Sequence, residues 1–330
     1  MIRFALIGAG FIGSVHAQNL AANEQVDLRL VYDSDTTRAT ALAARYGASV
    51  ATEAAAFDPD EVDAVLIASS TDTHARYLCT AADAGLAIFC EKPIDASYER
   101  AATTVAYVLE RTTRAMIDFN RRFDRDYAEL RRIVRAGEIG EVELVQMASR
   151  GPTMPPLEYL ASSGGQMRDQ TVHFFDLATW ITGLDPVDVF VKGSALVDSR
   201  IREFGDVDTS IATLSLANGG LVQIDSVRRS SYGYDERIEV FGSAGMAQAR
   251  RQHDGHVSRY HGRWITSDGM HAGWLERVRP TYAAALAAFV RSLEGDSAET
   301  PTLVDALKAQ AIAEAATRSL AGGRLEPISY

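Results

Sequence analysis

Ile2-Arg3-Phe4-Ala5-Leu6-Ile7-Gly8-Ala9-Gly10-Phe11-Ile12-Gly13 is the stretch whose reading decides the fold. The apolar run Ile2–Ile7 ends on glycine, the pattern of a strand buried on both faces of a parallel sheet. Helical periodicity takes over at Phe11 and lasts to Ala22. A Gly-x-Gly-x-x-Gly pattern between a strand and a helix fits a dinucleotide fingerprint. Gly8 then permits the tight turn, Gly10 lets backbone approach a pyrophosphate, and Gly13 allows helix to pack closely on strand. Phe11 and Ile12 open the helix, whose N-terminus faces the phosphate charge. A βα turn without a ligand is the competing reading of the glycines alone.

Working outward, strand and helix signals alternate at short spacing. Val26–Tyr32 reads as a strand, Thr36–Tyr46 as a helix closed by Gly47, and Asp63–Ala68 as a bare apolar strand. Thr73–Ala84 is helical up to Gly85, Leu86–Cys90 a strand, Ser97–Arg111 a helix and Ala115–Phe119 extended. Repeated βα units predict a doubly wound parallel sheet over residues 1–120. Beyond it the pattern changes. A helix over Asp124–Ala136 precedes strands at Glu141–Ser149, Asp188–Lys192, Ile211–Leu216, Leu221–Val227 and Arg237–Phe241. Asn218-Gly219-Gly220 marks a hairpin turn. Helices are expected at Arg168–Thr182, Pro280–Leu293 and Thr302–Ala321. Residues 121–330 therefore read as an α+β domain with a large, mostly antiparallel sheet.

Composition narrows the function. The 330 residues are 47% hydrophobic and 23% charged, enough for two ordinary globular domains. No apolar run reaches the roughly 18–20 residues of a membrane helix, and no leader is visible, so a soluble, cytoplasmic protein without a membrane partner is expected. With 33 basic against 44 acidic residues, the net charge of −11 argues against a nucleic-acid partner. Cys79 and Cys90 cannot form a disulfide framework.

Three further places carry chemistry. Asp33 ends the second strand, 20 residues after Gly13, where a carboxylate accepts from the adenosine ribose hydroxyls and repels a 2′-phosphate. The other reading makes Asp33 a turn former together with Ser34, Asp35 and Thr36. Arg38 has the reach for a phosphate, yet the carboxylate favours NAD over NADP. Cys90-Glu91-Lys92-Pro93 follows a strand at the carboxyl edge of the sheet, where Lys92 can stabilise a developing oxyanion or simply be a solvated lysine. In Gly164-Gly165-Gln166-Met167-Arg168-Asp169-Gln170-Thr171-Val172-His173, Asp169 and His173 are four apart and share a helix face. A carboxylate that fixes an imidazole tautomer suits a general base. Asp176 competes with Asp169 as partner, and a capped helix start with an interior histidine is the plainer alternative. His253, His256 and His261 fall in a stretch read as a solvated loop, and no metal site is expected. Tyr232 and Tyr234 flank Gly233 and either line a polyol pocket or pack across strands.

Taken in order, GAGFIG (8–13), Ser69-Ser70-Thr71-Asp72-Thr73-His74, CEKP (90–93), Asn120-Arg121-Arg122-Phe123-Asp124, GGQMRDQTVHFFD (164–176), YGYDERIEVFGSAG (232–245) and WLERVRPTYAAALAAFV (274–290) resemble the glucose–fructose oxidoreductase/inositol dehydrogenase/rhizopine catabolism (Gfo/Idh/MocA) family. Within it the likeness is to inositol 2-dehydrogenases. The resemblance implies a Rossmann domain and a second domain whose open sheet packs against other subunits as a homodimer or homotetramer. It implies a catalytic set of Lys92, Asp169 and His173, choosing Asp169 over Asp176, and a cis Lys92–Pro93 bond. Ser69, Ser70, Thr71 and His74 would then run beside the cofactor, with Glu91 near the nicotinamide. Arg122, Tyr232 and Tyr234 would fall near the substrate. The implied reaction oxidises a secondary hydroxyl of a cyclic polyol, with His173 taking the proton and Lys92 holding the reacting oxygen. One departure is Arg150-Gly151-Pro152-Thr153-Met154-Pro155-Pro156, which lacks the His and Asn that touch ring hydroxyls in some inositol dehydrogenases. Another inositol isomer, a sugar, a redox-assisted hydrolase or lyase, and a non-catalytic NAD-binding regulator are the alternatives.

Overall fold

Strands β1 (Ile2–Ile7), β2 (Val26–Tyr32), β3 (Ser49–Val50), β4 (Ala64–Ile67), β5 (Ala87–Cys90) and β6 (Ala115–Ile117) pair in parallel in the order β3-β2-β1-β4-β5-β6. Helices α1 (Phe11–Ala22), α2 (Thr36–Tyr46), α3 (Glu53–Ala56), α4 (Thr71–Asp83) and α5 (Tyr98–Leu109) connect them. The chain reverses direction across the sheet between β1 and β4, and ligands of such sheets bind outside the carboxyl ends at that switch. The expected doubly wound sheet is thus present. This computed structural model describes residues 1–111, 114–296 and 299–330.

Two compact units result. The first takes residues 1–123 and 280–308, the second 124–279 and 309–330. The sequence reading closed the first domain at 120, whereas the first unit recovers a later segment. Phe4, Leu6, Leu66 and Phe89 of the parallel sheet are fully buried. Helix Trp274–Leu293 supplies Ala285, Leu286, Phe289 and Val290 to that same core. The Phe289 ring meets Phe4 at 6.3 Å and Phe89 at 5.5 Å, both edge-on. Helical periodicity shows that this segment has an apolar face but not which sheet it covers. The helix also begins six residues before Pro280, the start expected from the sequence.

The second unit carries α6 (Arg125–Arg135), β7 (Val142–Arg150), α7 (Leu157–Ser162), α8 (Val172–Thr182), β8 (Pro186–Ser194), β9 (Thr209–Leu216), β10 (Leu221–Val227), β11 (Asp235–Gly242), β12 (Gly245–Ala249) and β15 (Glu326–Pro327). Its sheet runs β12-β11-β7-β10-β9-β8-β15, antiparallel at every pair except β7–β10. Val145, Met147, Val189, Val191, Leu214, Val222, Ile224 and Val240 make its buried face. On the other face Leu221, Leu144, Phe241 and Met246 line up across four strands, and Leu221, Phe241 and Met246 are each nearly half exposed.

Two expectations are corrected. The stretch read as a loop around His253, His256 and His261 contains a hairpin, β13 (Ser258–His261) with β14 (Trp264–Ser267), turned at Gly262. All eight strand residues are exposed, so burial imprints no alternation on the sequence. The helix expected over Arg168–Thr182 is divided: Met167–Thr171 forms a π turn before α8 begins at Val172. Among the described residues no helix is long and apolar enough to cross a membrane.

Candidate active site

The glycine loop has the geometry its sequence demands. Gly8 sits at φ +103°, and a Cβ there would lie 2.5 Å from the Ala68 carbonyl oxygen. A Cβ on Gly13 would lie 2.0 Å from the Gly8 carbonyl oxygen, so only glycine permits α1 to approach β1 this closely. Gly10 instead faces open space, with nothing within 4 Å of its would-be Cβ, and no side chain caps the helix that follows it. That bare, donor-rich N-terminus fits a pyrophosphate. Asp33 closes the loop from β2: its Oδ2 accepts the Ala9 amide at 2.7 Å and its Oδ1 the Asp35 amide at 2.8 Å. Ser34 is exposed beside it. Arg38 reaches Asp35 Oδ2 at 3.2 Å, so its guanidinium is already matched by a carboxylate. These residues fit a dinucleotide with a free ribose hydroxyl.

Further along the carboxyl edge, Ser70 precedes α4 and Thr71 opens it, while Ser69 Oγ and Thr73 Oγ1 share a hydrogen bond at 2.7 Å. His74 is 1% exposed, and its ring nitrogens lie 2.7 Å from the Pro93 carbonyl oxygen and 3.1 Å from that of Ser69. It braces the 69–73 loop against the Glu-Lys-Pro turn. Lys92–Pro93 is cis, as the resemblance implied. Glu91 is buried and accepts from His16 Nε2 at 2.9 Å, and its Oε2 receives the Lys92 amide at 3.3 Å.

In the second unit, Gly164 and Gly165 at φ +79° and +90° reverse the chain into the π turn. π turns recur where a helix must present side chains for function. A polar lattice pins this one. Gln166 bonds the Asp208 and Ser226 carbonyls through Nε2 and accepts from Ser210 at 2.7 Å. Gln170 donates to the Ser149 and Val227 carbonyls, and Thr171 meets Ser226 at 2.9 Å. Arg168 grips Glu314 with two bonds of 2.6 and 2.7 Å, which raises the guanidinium's pKa against the opposing effect of burial. Asp169 accepts from Tyr159 Oη at 2.7 Å and Arg228 Nη1 at 3.2 Å. His173 follows on the first turn of α8, nine-tenths buried. Asp176, the competing partner, is buried one turn further on.

The outer residues are tied to carboxylates. Tyr232 donates to Asp235 Oδ2 at 2.7 Å and accepts from Arg150 Nη1 at 3.1 Å, while half its surface stays exposed. Tyr234 is buried and donates to Glu236 at 2.7 Å. Arg122 lies 3.3 Å from Asp305; burial alone would raise the Asp305 carboxyl, yet the guanidinium holds it below its ordinary value. Four residues around these sites escaped the sequence reading: His16, Asp118, Tyr159 and Arg228. His16 is three positions past Gly13, in the fingerprint helix itself, and is the one a motif-based search had within reach. The other three meet their partners only through the fold.

A glycine cradle that leaves room for a pyrophosphate, closed by an acidic residue at the end of β2, defines a dinucleotide-binding domain. Residues 2–119 match the oxidoreductase family with an NAD-binding Rossmann fold, and residues 127–248 match the GFO/IDH/MocA C-terminal domain. The chain belongs to the GFO/IDH/MocA oxidoreductase family. It is 39% identical over 323 residues to an inositol 2-dehydrogenase of Rhizobium meliloti, spanning 98% of each chain. It is 33% identical over 262 residues to an NAD-dependent scyllo-inositol 2-dehydrogenase of Bacillus subtilis, spanning 76% of this chain and 75% of that one. The structure of a myo-inositol dehydrogenase from Corynebacterium glutamicum superposes with a TM-score of 0.93 at 34% identity, covering 100% of this chain and 99% of the other.

Proposed function

We propose that this protein is an NAD-dependent dehydrogenase that oxidises a secondary hydroxyl of a cyclic polyol, with an inositol as substrate. The reading is carried by the presence of Lys92, Asp169 and His173 in a chain that is similar end to end to an inositol 2-dehydrogenase. His173 accepts the hydroxyl proton, because an imidazole titrates near neutral pH and proton transfer is fastest between matched groups. Asp169, held by Tyr159 and Arg228, orients His173 and balances the imidazolium that forms. Lys92 donates to the reacting oxygen and stabilises its alkoxide character. Bound NAD supplies the hydride-accepting nicotinamide. Gly8, Gly10, Phe11, Ile12, Gly13, Asp33, Ser34 and the 69–74 segment form its binding edge. Tyr232, half exposed, and Arg122 and Tyr234, each fixed by a carboxylate, shape the substrate side. The exposed row Leu221, Leu144, Phe241 and Met246 supports assembly through the open sheet as a homodimer or homotetramer, which light scattering measures.

The test is NADH absorbance with NAD and a panel of inositols and aldoses at alkaline pH, with NADP in parallel. Net NADH from myo- or scyllo-inositol is expected. No NADH from any polyol or sugar, with NAD binding intact, overturns the dehydrogenase reading in favour of transient redox or regulation. Cofactor choice has its own prediction. Asp33→Ser removes the carboxylate that repels a 2′-phosphate, so the NADP-to-NAD ratio of kcat/KM rises about tenfold, equivalent to about 1.4 kcal/mol. An unchanged ratio refutes the role of Asp33.

A further inference from the structure

At the carboxyl ends of β5 and β6, three titratable side chains close on one another inside the first unit. His16 is 0%, Glu91 8% and Asp118 1% exposed, and their facing polar atoms all lie within 4.8 Å of one another. His16 Nε2 is 2.9 Å from Glu91 Oε1 and 3.7 Å from Asp118 Oδ2. The His16 ring is packed edge-on against Phe89 at 5.5 Å and Tyr282 at 5.4 Å. Among the described residues its Nδ1 has no hydrogen-bond partner, and its Nε2 faces the Glu91 carboxylate, an acceptor, so the proton sits on Nε2. The main chain is equally fixed: the Asp118 amide donates to the Cys90 carbonyl at 2.8 Å and the Glu91 amide to that of Ile67 at 2.9 Å.

Asp118 poses the problem. Among the described residues neither of its oxygens meets a donor, and a fully buried carboxylate without one is among the costliest arrangements a protein can hold. A proton resolves it, because a carboxylic acid becomes the donor that a neighbouring carboxylate needs. Burial, and then the Glu91 charge, push the Asp118 carboxyl well above its ordinary range, against the weaker pull of Arg121 and Lys92.

We propose that Asp118 is a positioning residue for Lys92: as a neutral acid it donates to the Glu91 carboxylate, which also accepts from His16 and receives the Lys92 amide. The proton shared between Asp118 and Glu91 thereby fixes the turn that carries the Lys92 ammonium. This rests on the assignment of Lys92 above, whereas the shared proton itself is independent of any substrate. The charged and titratable groups facing Asp118 are Glu91 and Lys92 after β5, Arg121 after β6, His16 on α1, and Cys90, whose thiol burial raises. The linkage has a definite sign. Above the ordinary aspartate pKa of about 4, the folded chain keeps a proton that the unfolded chain has released. Stability therefore falls as pH rises, by up to about tenfold in the unfolding equilibrium per pH unit, until Asp118 ionises in the folded state.

Three readouts on wild type, Asp118→Asn and Asp118→Ala test this. The infrared spectrum of wild type should show the C=O stretch of a protonated carboxylic acid, shifted in D2O and lost in Asp118→Asn. Denaturation between about pH 5 and 9 should show the Asn variant gaining on wild type as pH rises. The amide of Asn can still donate to Glu91, so Asp118→Asn keeps kcat within about threefold while Asp118→Ala loses about tenfold or more. If the Ala variant fails to fold, the first two readouts decide. No acid band in wild type, parallel pH profiles, or Asn and Ala variants equally impaired overturns the proposal. So does a stoichiometric divalent metal in the purified protein that Asp118→Asn releases. Without polyol oxidation by wild type, the band and the pH profile still report on the cluster, so the two failures are told apart.

Discussion

His173→Ala lowers kcat by about 10²–10⁴-fold, the span that general acid–base groups contribute, while the Kd for NAD stays close to wild type. The separation follows from placement. His173 lies in the first turn of α8, in the second unit, whereas the glycine loop and Asp33 belong to the first. A lost base slows proton removal without touching the phosphate cradle. Lys92→Ala belongs to the same experiment and should also act on kcat, because the ammonium is assigned to the charge that develops on the reacting oxygen. Activity against pH provides the internal control: in His173→Ala the acidic limb that reports the base disappears from kcat/KM. A variant that keeps full kcat removes His173 from the mechanism, and normal NAD binding shows that the protein was intact when it did so.

The second large effect falls on a residue with no motif. Arg228→Met should destabilise the second unit by about 3–5 kcal/mol and reduce kcat in the protein that remains folded. The Arg228 side chain is 2% exposed and bridges Asp169 at 3.2 Å and Asp206 at 3.3 Å. Removing the guanidinium takes the counter-charge from two largely buried carboxylates, and breaking a buried pair costs far more than the pair ever contributes. Asp206 also receives the Gln166 amide at 2.8 Å, so its displacement would loosen the π turn from below. Arg228→Lys should recover part of the stability but little of the activity, since one ammonium cannot replace a planar fork that serves two acceptors. Urea denaturation against kcat for the three proteins measures both. If Arg228→Met is as stable and active as wild type, Arg228 does not hold Asp169 in place.

What was legible in advance differs between the two units for physical reasons. A parallel strand buried on both faces writes itself as a bare apolar run, and the glycines of the 8–13 loop are required by contacts as short as 2.0 Å. The sheet of the second unit presents one face to solvent, so strands such as β9 and β10 alternate in burial rather than writing a bare apolar run, and the fully exposed β13–β14 hairpin shows no pattern. Spacing offered Asp169 and Asp176 alike as a partner for His173, and the family resemblance chose Asp169. The π turn itself was not legible, because the bonds that hold it run from Gln166, Gln170 and Thr171 to Asp208, Ser149 and Ser226, far away in sequence.

By itself the sequence determined the doubly wound sheet and the dinucleotide loop with Asp33, which depend on local periodicity and on backbone conformations open only to glycine. The candidate set Lys92, Asp169 and His173 came from the family resemblance, since spacing left Asp169 and Asp176 both open. The tertiary structure alone decided the rest. It returned Phe289 to the core of the first unit, placed Arg228 between Asp169 and Asp206, and enclosed His16, Glu91 and Asp118 together. Burial and the charges brought alongside set the protonation of a carboxyl group, and both are properties of neighbours that the chain acquires only by folding.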